Sequence, residues 1–140
     1  MADGSPRYGG FFRRLAARSV DGFLVLLAAA ASFLLLQELL GVRPARAGPP
    51  LSFYPYLFAF YLFYHALLES SHLQASLGKF LLGLRVTDLE GRPISFCRAL
   101  WRAFFYQLHG PFLIGLLLAA FTPRKQTLHD YAAGTLVVRR

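Results

Sequence analysis

Cysteine is almost missing from this chain of 140 residues, where Cys97 stands alone. A lone thiol excludes an intramolecular disulfide framework and any metal site built from cysteines only. A small disulfide-stapled scaffold and a zinc ribbon both fall on that count. Charge is scarce as well: 16% of residues are charged, where a soluble domain usually carries about a quarter. Carboxylates are the scarcest, with 7 Asp+Glu against 15 Lys+Arg and a net charge of +8. A nucleic-acid binder shares such a balance, but it spreads its basic residues over a polar face. Here they lie between long uncharged stretches, so no nucleic acid is expected as a partner. What the chain does have is apolar surface: 56% hydrophobic residues, 16% aromatic, and a mean hydropathy of +0.44. The lipid bilayer is the solvent that suits this composition, and the length suits a single membrane domain over 1–140.

Gly22 to Gln37 carries no charge, and the apolar run reaches Leu40 if Glu38 sits among headgroups. About 20 residues cross a ~30 Å hydrocarbon core, which predicts a first span over about 20–40. Leu51 to Leu68 predicts a second, rich in Phe and Tyr and bounded by Gly48-Pro49-Pro50 and Glu69. Tyr54, Tyr56 and Tyr64 are placed to rest at the two interfaces. Arg13 and Arg14 followed by an apolar run and Ala45-Arg46-Ala47 imitate a secretory leader. The run is longer than the about 7–15 residues of a leader core, and the cleavage-like site lies well past its end. The segment is therefore read as a retained span.

A third apolar region runs over 103–121 and is interrupted by His109-Gly110-Pro111, where proline disfavours helix. It is either one kinked span or a helical hairpin that returns to the side it left. The hairpin places all but two of the 15 basic residues, Arg43 and Arg46, on the cytoplasmic side with both termini, as the positive-inside rule favours. Leu84 to Asp88 alternates like a strand, Leu89 to Pro93 is turn chemistry, and Ile94-Ser95-Phe96 could return as a second strand. Thr135 to Val138 is also strand-like and could pair with the first piece if both lie on one side. The fold class expected is therefore an all-α membrane protein: two transmembrane helices, a third apolar region, and short cytoplasmic strand-like segments.

Arg14, Arg18 and Asp21 share one face of the first helix, since seven residues at about 100° each fall roughly 20° short of two turns. An aspartate inside hydrocarbon costs on the order of 2.5–3.5 kcal/mol and must be paired, hydrated or protonated. That cluster is either an ion- or proton-coupled site or a structural ion pair fixing the helix at the interface; the second reading is preferred, because Asp21 lies at the edge of the span. His65, Glu69 and His72, at i, i+4 and i+7, form a conceivable divalent-metal set. Interfacial His and Glu are ordinary, however, and no metal or other cofactor is expected. Gly78-Lys79 fails as a phosphate loop, with Leu73 at the glycine position six residues upstream and Phe80 after the lysine. Gly78 and Gly83 are instead candidates for close helix approach, with Lys79 reaching toward lipid headgroups. Ser76, His129 and Asp130 have no catalytic motif around them, and no enzyme is expected.

Three separated stretches carry a family resemblance. They are Tyr8-Gly9-Gly10-Phe11-Phe12-Arg13-Arg14-Leu15-Ala16-Ala17-Arg18-Ser19-Val20-Asp21, then Ala75 to Val86 with Asp88 and Gly91, and finally Pro123 to Thr135. In that order they resemble the RDD family of small integral membrane proteins, named for one arginine and two aspartates. By this resemblance Arg14, Asp21 and Asp130 are the named residues, and Arg18 could share the arginine's work. Ser76, where threonine is usual, and Tyr131 after the aspartate are mild departures. The resemblance implies a membrane protein, of a bacterial plasma membrane, with either a scaffold or accessory role or transport of an unassigned ion or small ligand. So few spans hardly enclose a pathway alone, so self-association or a larger membrane complex is expected. Of the two roles the scaffold is preferred. The last expectation is that Asp130 joins Asp21, Arg14 and Arg18 in one cluster at the membrane edge.

Overall fold

The computed structural model describes residues 7–42, 49–109 and 114–140. It is mostly helical. Helix α1 (Phe11–Leu39) is followed by α2 (Phe53–Ser70) and by the short α3 (Leu77–Leu81). Strand β1 (Leu84–Asp88) leads into α4 (Phe96–His109) and α5 (Ile114–Phe121), and α6 (Leu128–Ala133) leads into the final strand β2 (Thr135–Arg139).

α1 begins at Phe11, well before the expected span, so Arg14, Arg18 and Asp21 all stand on regular helix. Its 29 residues reach about 43 Å at 1.5 Å per residue. Its buried positions are Arg14, Ala17, Asp21, Val25, Ala29 and Phe33, spaced by three or four residues. One stripe therefore faces the protein, and Leu26, Leu27, Leu34 and Leu35 point outward. α1 is the one helix among the described residues long and apolar enough to cross a membrane, and only 22% of its most apolar stretch is buried within the protein. A core helix of a soluble protein would be covered on most sides; this one is not. α2 carries Tyr54, Tyr56, Tyr61 and Tyr64 with His65 and Glu69.

Where three helices meet, Ala17, Ala66 and Ala99 are completely buried. Small side chains let backbones approach and pack closely. Leu84, Val86 and Val137 join them from the sheet. β1 and β2 pair antiparallel with Val86 opposite Val137, and Tyr8 extends the ladder onto Val138. Because β1 precedes α4 and β2 follows α5 and α6, the chain leaves this sheet through the third apolar region and returns to it. The proline break at Gly110-Pro111 lies outside the described residues, but α4 and α5 flank it as separate helices.

The mostly helical class holds, and the strand-like segments expected at Leu84–Asp88 and Thr135–Val138 do pair as a two-stranded sheet. One expectation is corrected here. Ile94-Ser95-Phe96 is not a returning strand: Ile94 is buried in the core, Ser95 accepts from the Arg98 and Ala99 amides at 3.3 and 3.0 Å, and Phe96 opens α4. The turn before it forms as its chemistry suggests. Asp88 Oδ1 accepts from the Glu90 and Arg92 amides at 3.0 and 2.8 Å, and Gly91 takes φ +83°, which glycine adopts without steric cost.

Candidate functional site

Besides Asp88 in the sheet, three buried carboxylates gather at the end of the molecule that carries it, and each is held differently. Asp21, on α1, is met by neutral donors. Tyr64 of α2 donates its hydroxyl at 2.9 Å and the Gly78 amide donates at 2.8 Å, both to Oδ1. Ser76 donates to Oδ2 at 2.5 Å. Ser76 sits just before α3, so the carboxylate clasps the start of that helix, where backbone N–H groups lack helical partners. Gly78 makes the clasp possible: a Cβ there would lie 2.3 Å from the Ala17 carbonyl and 2.9 Å from Asp21 Cγ.

Asp130, on α6, is met by cations. Arg14 Nη1 donates to Oδ2 at 2.5 Å, while Arg102 donates to Oδ1 through Nε at 3.0 Å and Nη2 at 2.8 Å. The Thr127 amide adds a bond to Oδ2 at 3.0 Å, closing a capping box that starts α6. Burial opposes ionisation of Asp130, but Arg14 and Arg102 outweigh it and hold its pKa well below the usual carboxylate range. Next to it, burial drives the His129 imidazole down to about 3, so the ring is neutral at physiological pH. Its Nε2 lies 2.9 Å from Thr127 Oγ1.

Glu69, completely buried at the end of α2, is the third. It receives Arg102 Nη1 on one oxygen, and Lys79 Nζ with His65 Nδ1 (3.2 Å) on the other. Arg102 therefore bridges Asp130 and Glu69, and one guanidinium ties α2, α4 and α6 together. Burial lowers the Lys79 pKa despite the carboxylate beside it.

A cavity of about 210 Å³ lies against this network, lined among others by Arg14, Arg18, His65, Arg102 and Tyr106, with Gly22 on an exposed turn of α1. The Arg18 guanidinium stands over the Tyr106 ring, 4.7 Å from its centroid. Two buried polar atoms of lining residues, Arg14 Nη2 and His65 Nε2, have no hydrogen-bond partner within the protein.

The geometry rearranges the pairings that the sequence suggests. Arg14 and Asp21 do share the buried face of α1, but Arg14 turns to Asp130 and Asp21 turns to α2 and α3. The reason is distance along the helix: nearly two turns separate them, and both find closer partners on other elements. Arg14 and Asp130 meet as expected, whereas Asp21 belongs to a neighbouring clasp. Lys79 does not reach for headgroups, because Glu69 is beside it. Gly83 is not a close-approach position: a Cβ there would meet nothing within 4 Å, and its φ of +64° instead serves the turn from α3 into β1. His72 is exposed beyond the end of α2, so it leaves the face of His65 and Glu69. Among the described residues no group of His, Cys, Asp and Glu gathers to hold a metal ion. Tyr64, expected at the interface, gives its hydroxyl to Asp21 instead. Arg102 and Glu69 had no assigned pairing in the sequence. Their signal was there, an acid closing one apolar stretch and a base opening another.

Comparison with known proteins places the same three stretches in one frame. The model of the RDD family matches residues 8–134. An uncharacterised Bacillus subtilis (strain 168) protein, YxaI, is 41% identical over 76 residues, which cover 54% of this chain and 50% of that protein. The chain thus spans about half the length of that curated relative. No solved structure matches.

Proposed function

The chain belongs to the RDD family, and from that premise we propose a small polytopic membrane protein that serves as a scaffold or accessory subunit of a membrane assembly, without catalysis of its own. In this reading α1 and α2 cross the bilayer, α4 and α5 form a hairpin that dips in and returns, and both termini are cytoplasmic. Supporting the hairpin is the pairing of β1 with β2, which needs the two ends of that region on one side. The positive-inside distribution supports the orientation. A reporter fused after Arg140 should be active in the cytoplasm and silent outside it.

The observation that carries the architectural role is the closure of the charge network. Asp130 and Glu69 spend their oxygens on Arg14, Arg102, Lys79, His65 and the Thr127 amide. A carboxylate saturated in this way fixes several elements and is poorly placed to release its partners in each cycle of a transporter. Partners would be further copies of the chain or a larger membrane protein, seated on the lipid-facing leucines and aromatics. The test is to extract the chain with its native lipid, determine its assembly by native mass spectrometry, and measure ion flux after reconstitution. A fixed stoichiometry with no flux above empty vesicles is expected. Flux that disappears in Asp21→Asn while assembly stays normal would overturn the reading. The second reading, transport of an ion or small ligand by an oligomer, is favoured by the cavity beside the network, which has charged residues among its walls.

A further inference from the structure

Exposed arginines from three distant parts of the chain meet at one corner of the sheet-bearing end, around the turn from α3 into β1. Arg13, in the first turn of α1, donates through Nη1 to the Leu82 carbonyl at 3.4 Å. The Arg140 amide donates to the Gly83 carbonyl at 2.9 Å, and its guanidinium lies 4.6 Å from the centroid of the Phe80 ring. Arg139 pairs with Leu84 in the sheet, and its amide donates to the Arg7 carbonyl at 2.8 Å. Arg85 follows one step along the ladder, opposite Val138. Arg7, Arg13, Arg85, Arg139 and Arg140 are all exposed.

Among the described residues no carboxylate pairs with any of these five. The acids at this end are engaged elsewhere: Asp21 on the start of α3, Glu69 and Asp130 on buried cations, Asp88 and Glu90 on Arg92. Apolar side chains stand among the arginines. Phe12 and Leu81, sequence neighbours of the bond from Arg13 to Leu82, are 81% and 70% exposed, and Phe80 is 41% exposed. Water suits the guanidinium groups but not the rings, and hydrocarbon suits the rings but not the guanidinium groups. The headgroup layer suits both, with apolar groups toward the acyl boundary and cations among phosphates.

We propose that this corner docks on anionic phospholipid headgroups of the leaflet that α1 enters. The proposal rests on the reading that α1 crosses the bilayer, and it holds for a scaffold or a transporter alike. Depth supports it. Arg13 precedes the expected start of the span by seven residues, about 10 Å of helix, comparable with the Debye length of about 8–10 Å over which an anionic leaflet attracts basic side chains. A guanidinium fork matches a phosphate group. Phosphatidylcholine offers the same phosphate but cancels its charge with choline, so net negative charge is what the corner selects. A second copy docked on the same face would set arginine against arginine.

The full chain is reconstituted into nanodiscs of equal parts phosphatidylglycerol and phosphatidylcholine, and the lipids it retains on release are counted by native mass spectrometry. Phosphatidylglycerol should exceed phosphatidylcholine roughly three-fold or more among them. A triple variant, Arg7→Gln with Arg85→Gln and Arg139→Gln, spares Arg13 and Arg140, whose side chains hold backbone carbonyls. It should keep the parent's helicity and elution volume and bring the ratio close to even. Arg98→Gln with Arg124→Gln and Lys125→Gln removes as much exposed charge elsewhere and should leave the preference in place. No preference in the parent, or equal loss in both triple variants, overturns the proposal. A polyuridylate oligonucleotide bound by the parent in phosphatidylcholine discs, and not by the first triple variant, would assign the corner to RNA and overturn it as well. A chain that never enters a phosphatidylcholine disc fails the membrane reading and the proposal together, whereas entry without lipid preference fails the proposal alone.

Discussion

The two ends of the α1–α2 pair are held together by different chemistry. Near Asp21 and Tyr64, side chains from α1, α2, α3, α4 and α6 meet through hydrogen bonds and ion pairs whose partners lie far apart in the chain. About three turns away, Phe33 packs edge-on against Phe53 at 5.2 Å and tilted against Tyr56 at 5.2 Å, with one hydroxyl bond from Tyr56 to Ser32 at 2.8 Å. Beyond it, Leu39 and Leu40 are 75% and 67% exposed. The first end is specified by directional contacts that admit few alternatives. The second is specified by shape and is completed by whatever apolar medium surrounds it. Within lipid, apolar side chains gain little by leaving the hydrocarbon for one another, so polar contacts and close packing must fix the helices. In this chain they are concentrated at the sheet-bearing end.

The sharpest way to break that contrast is to remove its shared cation. Arg102→Met leaves Asp130 with one guanidinium and Glu69 with Lys79 and His65. Breaking a buried ion pair from one side typically costs about 3–5 kcal/mol. Little folded protein should survive extraction, measured by fluorescence-detected gel filtration. A variant that elutes like the parent would show that the charged end is not what holds the helices. Asp130→Asn should behave nearly as badly, since it strands Arg14 as well.

Acid should attack the same end. The folded pKa of His129 is lowered to about 3 from an ordinary 6.5. Between those values the unfolded chain takes up a proton that the folded chain refuses, so stability falls as pH drops through the window and the loss is complete below about 3. The slope is up to about 1.4 kcal/mol per pH unit, or about 2 kcal/mol at pH 5. Asp130, also depressed, adds stability that is present above its ordinary carboxylate value and lost only at still lower pH. Melting curves in detergent from pH 7 to 4 check this. His129→Gln should flatten the upper part of the profile, and an unchanged slope in that variant would remove His129 as the cause.

Gly78→Ala tests the clasp on Asp21 by sterics alone. Its methyl would press on the Ala17 carbonyl, an atom of α1 backbone that has little freedom to move. Overpacking of this kind costs about 1–3 kcal/mol. A lower melting temperature is expected, whereas Gly83→Ala should act through its positive φ and be relieved by Gly83→Asn. Equal tolerance of alanine and asparagine at both positions would mean that neither close approach nor backbone conformation matters there.

How much of this was legible in the sequence depends on whether local pattern or distant partner sets a feature. The apolar runs of α1 and α2, the turn from Leu89 to Pro93, the extended Leu84 to Asp88 and the face shared by Arg14 and Asp21 are local, and the structure contains each of them. The meeting of Arg14 with Asp130 followed from putting both ends of the chain on one side. The bridge from Arg102 to Asp130 and Glu69 spans 28 and 33 residues, and no periodicity encodes it. Three carboxylates and several cations at one depth admit many pairings, and the choice among them is made by packing. Lys79 went to Glu69 rather than to lipid for the same reason. α1 starts well before the expected span because apolarity marks where lipid begins, whereas the helix continues into the polar end, where Arg14, Arg18 and Asp21 stand on it.

The smallest expected effect lies at the far end, and it measures the contrast directly. Ser32 Oγ accepts from Tyr56 and itself donates back to the Ala28 carbonyl at 2.7 Å, a bond within its own helix turn. Ser32→Ala therefore removes one interhelical hydrogen bond, and the Tyr56 hydroxyl is left to find water or another acceptor. Interhelical hydrogen bonds in a membrane protein average about 0.6 kcal/mol, because the separated helices also find partners. A double-mutant cycle of Ser32→Ala with Tyr56→Phe, read from unfolding in mixed micelles, should return a coupling near that value. The corresponding cycle of Arg14→Gln with Asp130→Asn should be several times larger, since each single change strands a buried charge. Coupling energies of similar size at the two ends would abolish the distinction between them. It would make Phe33, Phe53 and Tyr56 as specific a fastening as the charge network.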